Sequence, residues 1–184
     1  MDLLIRHGPK SHANTDLWAE FRFDAALTED GMLVTREKMR SLISEVGVPS
    51  VVRTSPYLRT RQTADIILSL CPVSPVLEVD ANLSEYLGHQ RGNFAGCFRS
   101  ETLQYSPPQN ESMVEFKTRV SNYLNSNVGS EGVTFHVTHG LFLHVAAELE
   151  GQQLPSGIAS LASHYRLRNY RPANAGKYRG CARK

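Results

Sequence analysis

Ser55-Pro56-Tyr57-Leu58-Arg59-Thr60-Arg61-Gln62-Thr63-Ala64 is the stretch that decides the fold. Before it stands Ser50-Val51-Val52-Arg53-Thr54, a β-branched run that predicts a strand. Ser55-Pro56 then reads as a helix N-cap with proline at the first helical position, opening a helix to about Leu70. A strand running straight into a helix is the start of a βαβ unit, the building block of a parallel sheet. Arg59 falls in the first helical turn, where free backbone N–H groups and the positive end of the helix dipole favour an anion.

The same grammar continues on both sides of this block. Leu3-Leu4-Ile5 is a short apolar run broken at once by Gly8-Pro9, which predicts a buried strand. Residues 10–27 have no period and read as a loop. From Gly31, Met32, Met39, Leu42, Ile43 and Val46 keep one helical face until Gly47-Val48-Pro49 stops it. Val76-Leu77-Glu78-Val79 is a further strand. Residues 84–110, with Pro107-Pro108 and little periodicity, read as a long loop of the kind that shapes a site. Asn110 or Ser112 caps a helix carrying Val114, Phe116, Val120, Tyr123 and Leu124. Val133, Phe135 and Val137 alternate as a strand, and Leu141 to Glu150 is a helix ended by Gly151. Ile158 to Ser163 and Tyr165 to Tyr170 read as closing strands. There is no internal repeat and no low-complexity linker. Strands alternating with helices predict an α/β sandwich around a largely parallel sheet.

The chain has 184 residues, 41% of them hydrophobic and 21% charged, which suits one domain and excludes a disordered or collagen-like chain. No apolar run approaches the ~18 residues that span a bilayer, and Met1-Asp2-Leu3-Leu4-Ile5-Arg6 is not a signal peptide, so a cytoplasmic protein with no membrane contact is expected. Cys71, Cys97 and Cys181 are odd in number and far apart, which predicts reduced thiols rather than disulfides or a metal pair. The charge is uneven. Of 20 basic residues, seven lie in 165–184 (Arg166, Arg168, Arg171, Lys177, Arg179, Arg183 and Lys184), where there is no Asp or Glu; the rest of the chain, with all 18 acidic residues, is net negative.

Three short segments carry chemistry. Arg6-His7-Gly8 follows the first strand, so a guanidinium and an imidazole sit at a carboxyl strand end, where open α/β sheets place ligands. A neutral imidazole can act as a nucleophile, and a guanidinium can hold an anion with two hydrogen bonds. Arg59 occupies its helix N-terminus, and Thr138-His139-Gly140 is a third strand end running into a helix. Taken singly, each has an ordinary explanation: a solvated Arg-His pair in a turn, a capped helix with surface arginines, a structural histidine. Taken together, Arg6, His7, Arg59 and His139 lie at the carboxyl ends of three strands and can converge on one phosphoryl group.

At this point the sequence resembles the histidine phosphatase superfamily, the phosphoglycerate mutase-like proteins. The strand-borne R-H-G of that family matches Arg6-His7-Gly8, and its L-T-x-x-G helix opening matches Leu27-Thr28-Glu29-Asp30-Gly31. Its S-P-x-x-R-x-x-Q-T-A block matches Ser55 to Ala64 at every fixed position. The L-x-E acid segment matches Leu83-Ser84-Glu85, the E-S helix with a later R-V matches Glu111-Ser112 and Arg119-Val120, and the second H-G matches His139-Gly140. These segments run in family order from Leu3 to about Tyr170.

The resemblance implies a three-layer α/β sandwich, with a largely parallel central sheet and helices on both faces. It implies a catalytic domain over residues 1–170, and the charge count makes residues 171–184 a basic tail. His7 would be the nucleophile that becomes a phosphohistidine, Arg6, Arg59 and His139 would hold the phosphoryl oxygens, and Glu85 would be the general acid and base. No cofactor or metal is implied, and no carboxylate cluster or HExxH offers one a site. The sequence departs from the family after R-H-G: Pro9 follows where the family often has Glu or Gln, and Asn14 lies one residue beyond the usual asparagine, so Asn14 is a candidate phosphate ligand only by proximity. Glu111 is a rival acid whose helix-opening position also explains it. Arg91 lies in the site-shaping loop; Trp18 reads as a pocket wall or core cover; His136 reads as a sheet histidine, His144 as structural, and His12, His89 and His164 have no assigned role.

The expected activity is metal-independent phosphomonoester hydrolysis on a phosphorylated substrate of unstated class. The alternatives are a phosphoglycerate-type mutase, a non-enzymatic phosphate-binding scaffold, and a polyanion- or RNA-binding protein using residues 165–184. In the last, arginines interleaved with Tyr165, Tyr170 and Tyr178 would hold phosphates and stack bases.

Overall fold

A computed structural model describes residues 1–10, 21, 23–88, 97–129, 131–152 and 164–167. Its elements follow in the order β1 (Asp2–Arg6), α1 (Glu29–Val46), β2 (Val51–Thr54), α2 (Leu58–Leu70), β3 (Val76–Val79), α3 (Ser100–Leu103), α4 (Met113–Asn127), β4 (Thr134–Thr138), α5 (Gly140–Leu149) and β5 (His164–Arg166), with a 3-10 turn at Ala81–Leu83. The five strands form one sheet in the order β3-β2-β4-β1-β5. All pairings are parallel except that of β5, which runs antiparallel to β1.

Strand periodicity builds the three layers. Leu3, Leu4 and Ile5 are all fully buried, but alternation sends them to opposite faces. Leu3 and Ile5 join Met39, Leu42, Ala64 and Ile67 on the face covered by α1 and α2. Leu4 joins Phe116, Val120, Leu124 and Phe142 under α4 and α5. A strand buried on both faces reads as a continuous apolar run rather than an alternating one, which is why Leu3-Leu4-Ile5 carries no polar member. The α/β sandwich predicted from the sequence is the observed architecture.

The main elements follow the sequence reading, but the expected loop 84–110 holds the short helix α3, the last strand is His164–Arg166 where Tyr165 to Tyr170 is expected, and α2 starts later than its capping signal. Helix α4 is capped by Ser112 in a full capping box with Glu115. Helix α2, by contrast, is not capped by Ser55. Its N-cap is Tyr57, which has no side-chain cap bond, and its first helical residue is Leu58. The Ser55 hydroxyl is occupied elsewhere, 2.9 Å from the His139 ring, so the local capping signal yields to a long-range contact. The predicted strand Ile158 to Ser163, the segment 168–184, and Trp18, His12 and His89 lie outside the described residues. His144, read as structural, is exposed on α5.

His136 is a satisfied sheet histidine. The Asp2 carboxylate can only accept, so the ring donates from Nε2 to Oδ1 at 3.2 Å and accepts at Nδ1 from the Tyr123 hydroxyl at 2.7 Å. The second Asp2 oxygen accepts from the Gly129 N–H at 3.0 Å. Burial is the leading cause that holds the His136 imidazole below its ordinary value, with the bond to Asp2 acting the other way. The fold therefore keeps this ring neutral where the unfolded chain takes up a proton, from about pH 6.5 downward. Unfolding free energy should fall on acidification through that range by up to about 1.4 kcal/mol per pH unit. Urea midpoints measured from pH 8 to pH 5 are expected to decline from about pH 6.5, and to decline less steeply in His136→Gln; equal slopes would assign the acid sensitivity elsewhere.

Candidate active site

Parallel pairing of β1 with β4 sets Arg6 opposite Thr138, and the His7 N–H extends the ladder by donating to the Thr138 carbonyl at 3.0 Å. On the other side of β4, the Ser55 N–H donates to the Val137 carbonyl at 3.0 Å. Arg6-His7, Ser55 and His139 thus leave three adjacent strands at their carboxyl ends, side by side. The glycine after each histidine has a steric reason. A Cβ on Gly8 would stand 2.0 Å from the Thr35 hydroxyl of α1, and one on Gly140 would stand 3.1 Å from the Arg6 guanidinium carbon. Gly140 lets Arg6 lie against the first turn of α5.

His7 is 2% exposed, and its Nδ1 lies 2.7 Å from the Gly8 carbonyl. A carbonyl only accepts, so Nδ1 carries the proton and Nε2 keeps a free lone pair. Burial first, then the charge of Arg59, holds the His7 ring well below its ordinary value, so it is neutral at neutral pH. His139 is held down by the same two causes. Arg59 Nη2 donates to its Nδ1 at 3.3 Å, leaving Nε2–H to donate to the Ser55 hydroxyl. The two imidazoles meet edge to face with centroids 5.4 Å apart.

Arg59 is fully buried. One of its terminal nitrogens donates to the Phe23 carbonyl at 3.0 Å, and the other is ion-paired with Glu85, whose Oε2 lies 3.8 Å from His139 Nδ1. Its Nε has no hydrogen-bond partner among the described residues. Glu85 follows the 3-10 turn Ala81–Leu83, and the strut beneath it is Arg119, which donates to the Asn82 carbonyl and, at 3.1 Å, to the Ser84 carbonyl. Arg119 also binds both Glu111 oxygens. Glu111 is therefore the partner of the strut Arg119.

The structure gathers Arg6, His7, Arg59, Glu85 and His139, and adds one residue that sequence reasoning left out. Lys10 bridges to Leu27 through its backbone. Burial is the main cause that holds its ammonium below the ordinary value, followed by Arg59; Glu85 opposes them and Arg6 adds to them. Its only sequence signal was a cation three residues past His7. Asn14 and Arg91 lie outside the described residues.

The remaining residues of the 55–64 block support the site. Gln62 accepts from the Leu27 N–H at 2.8 Å, and Thr63 accepts from the Gly8 N–H at 3.2 Å, so α2 holds the loop that follows His7. Arg6, Lys10 and Arg59 are three cations against the one carboxylate of Glu85, with both histidines neutral. The excess of two positive charges suits a dianion, and the free Nε2 of His7 suits nucleophilic attack. Among the described residues, no group of three His, Cys, Asp or Glu side chains is placed to hold a metal ion, and no helix is long and apolar enough to cross a membrane.

Comparison with solved structures finds the same fold. The ecdysone phosphate phosphatase of Bombix mori in complex with tungstate matches with a TM-score of 0.61 at 15% identity, over 89% of this chain and 86% of that one. The product of open reading frame Rv3214 from Mycobacterium tuberculosis gives 0.58 at 23% identity, over 89% and 88%. The protein histidine phosphatase SixA complexed with tungstate gives 0.50 at 18% identity, over 84% and 80%. Comparison with curated protein sequences gives no match. The profile of the histidine phosphatase superfamily (branch 1) matches residues 3–163, nearly the whole span that carries the sheet and the strand-end histidines, and the chain belongs to that superfamily.

Proposed function

We propose that the protein is a metal-independent phosphomonoester hydrolase working through a phosphohistidine on His7. Membership of the superfamily supports phosphatase or mutase chemistry. The observation that carries the hydrolase reading is the cation excess around a neutral His7, with the buried Arg59 Nε unpartnered among the described residues. A phosphomonoester with a second pKa near 6 is mainly a dianion at pH 7, matching both the charge and the orphan donor. Tungstate, a tetrahedral oxyanion, in two of the fold relatives supports the same reading.

In the first half-reaction, His7 Nε2 attacks phosphorus as the bond to the leaving oxygen breaks. Arg6, Arg59 and His139 spread the charge of a loose transition state over the equatorial oxygens. Glu85, released from Arg59 by the incoming phosphate and protonated from solvent, gives that proton to the leaving oxygen. In the second half-reaction, water attacks phosphorus, Glu85 takes its proton, the N–P bond breaks and inorganic phosphate leaves. Phosphate displaces Glu85 from Arg59 and adds negative charge beside His139, which favours a protonated, donating imidazole. A mutase would instead return the phosphoryl group to a second hydroxyl, so release of inorganic phosphate distinguishes the two.

Brief exposure to labelled substrate with EDTA present should leave acid-labile, alkali-stable phosphate on the protein. His7→Ala should abolish both the label and turnover without loss of fold; near-normal turnover in that variant would sink the mechanism. Glu85→Gln should slow alkyl phosphates far more than p-nitrophenyl phosphate, whose leaving group hardly needs a proton. Equal losses on both would make Glu85 a structural residue.

A second reading concerns the cationic end. Tyr165 does not serve it: the ring is core, and its hydroxyl donates to Glu150 at 2.5 Å. Arg166, by contrast, is exposed on the edge strand β5. We propose that the cations from Arg166 onward add a polyanionic partner or substrate, with RNA among the candidates, since they face no acidic residue within 165–184. Single-stranded RNA should bind at low salt and dissociate steeply as salt rises, and truncation after Pro172 should weaken binding but spare p-nitrophenyl phosphate hydrolysis. No binding at low ionic strength would return the tail to a solubility role.

A further inference from the structure

We propose that Asp24, a residue no motif picks out, is a positioning residue that sets Arg59 for the phosphoryl group. The proposal rests on the reading of Arg59 as a phosphate ligand. Asp24 is a fully buried carboxylate, and none of its bonds is to a cation among the described residues. Its Oδ1 accepts from the Leu58 N–H at 2.6 Å. Its Oδ2 accepts from the Thr102 hydroxyl at 2.6 Å and from the Arg99 N–H at 3.2 Å. Neither Tyr57 nor Arg99, the N-cap residues of α2 and α3, offers a side-chain cap. One carboxylate from a distant loop therefore caps α2 and ties it to the start of α3, and the α2 dipole helps stabilise its charge.

The consequence for Arg59 follows from adjacency. Leu58 precedes Arg59, and Phe23 precedes Asp24. The bond from the Leu58 N–H to Asp24 and the bond from Arg59 Nη1 to the Phe23 carbonyl, at 3.0 Å, form two rungs between residues 23–24 and 58–59. The loop side of this clamp is itself fixed, since the Phe23 N–H donates to the Cys97 carbonyl at 3.2 Å and the Asp24 N–H to the Phe21 carbonyl at 2.7 Å. With both rungs in place, the guanidinium has one terminal nitrogen tied back, while the other meets Glu85 and His139 and Nε has no partner among the described residues. Without the Asp24 rung, the helix start and the Phe23 carbonyl move independently, and the guanidinium loses its fixed aim. Displacement of a charged ligand by about 1 Å is enough to cost up to about a hundredfold in rate.

The test is a double-mutant cycle between Asp24→Ala and Arg59→Ala, read as kcat/KM for p-nitrophenyl phosphate and as inhibition by tungstate, with thermal melting measured alongside. Asp24→Ala should lower kcat/KM and tungstate affinity by about tenfold or more when Arg59 is present, and by less than about threefold when it is absent. The melting temperature should fall equally in both backgrounds. If Asp24→Ala does not fold, Asp24→Asn decides: it keeps the volume and one acceptor oxygen, and should show a smaller loss that again requires Arg59. A loss of equal size in both backgrounds, or none in either, overturns the role of Asp24. An Arg59→Ala variant with normal kcat/KM would instead overturn the phosphate-ligand reading on which the proposal rests.

Discussion

The parallel register of β1 on β4 is the constraint from which the site inherits its positions. It sets Arg6 opposite Thr138 and carries one residue further, through the bond from the His7 N–H to the Thr138 carbonyl. A slip of one residue would turn every side chain of the strand to the other face, sending His7 away from His139 and moving Leu3 and Ile5 out of their cluster. Burial holds the register. Leu3, Leu4, Ile5, Phe135 and Val137 are all fully buried, and each such side chain is worth roughly 1.5–3 kcal/mol against exposure. The sheet can therefore hold an arrangement at its edge that would not hold itself.

That arrangement is electrostatically unfavourable in isolation. A fully buried guanidinium beside Arg6 and Lys10 loses hydration and gains like-charge repulsion, and removing partners from such a group is more costly than never burying it. The protein relieves the site in three ways. It keeps both imidazoles neutral, it lends Glu85 to Arg59, and it turns the Phe23 carbonyl toward the guanidinium. None of these removes the excess positive charge. A site that remains two charges too positive is destabilising for the fold and favourable for a dianion, the usual exchange between stability and function.

What could be read from the sequence, and what could not, follows from how far each interaction reaches. Buried strands are legible because Leu3-Leu4-Ile5 and Val51-Val52 state their burial within a few residues. The strand-end histidines are legible because the glycine after each is a local consequence of close approach by Thr35 and Arg6. Ser55 carries a local capping signal, but its hydroxyl meets His139, 84 residues away, which no local rule registers. Asp24 and Lys10 sit at either end of a stretch with no periodicity, where each does its work on residues far along the chain. Glu111 opens a helix in the sequence, and only the structure shows that both its oxygens bind Arg119, eight residues on.

The Ser55 to Ala64 block joins these two kinds of information. Its polar side chains bond at sequence separations of 84 for Ser55 to His139, 36 for Arg59 to Phe23, 35 for Gln62 to Leu27 and 55 for Thr63 to Gly8. Each bond goes to a different segment, and all four segments border the site. Residues elsewhere on the helices need only be apolar on the right face, a condition that many side chains meet. At these four positions the side chain must present one particular donor or acceptor, because a buried polar group left unpaired costs about 1–3 kcal/mol. A ten-residue segment can therefore tie together four segments that border the site. The information lies in its long-range bonds, and the helix that carries them is only the means of presenting them together.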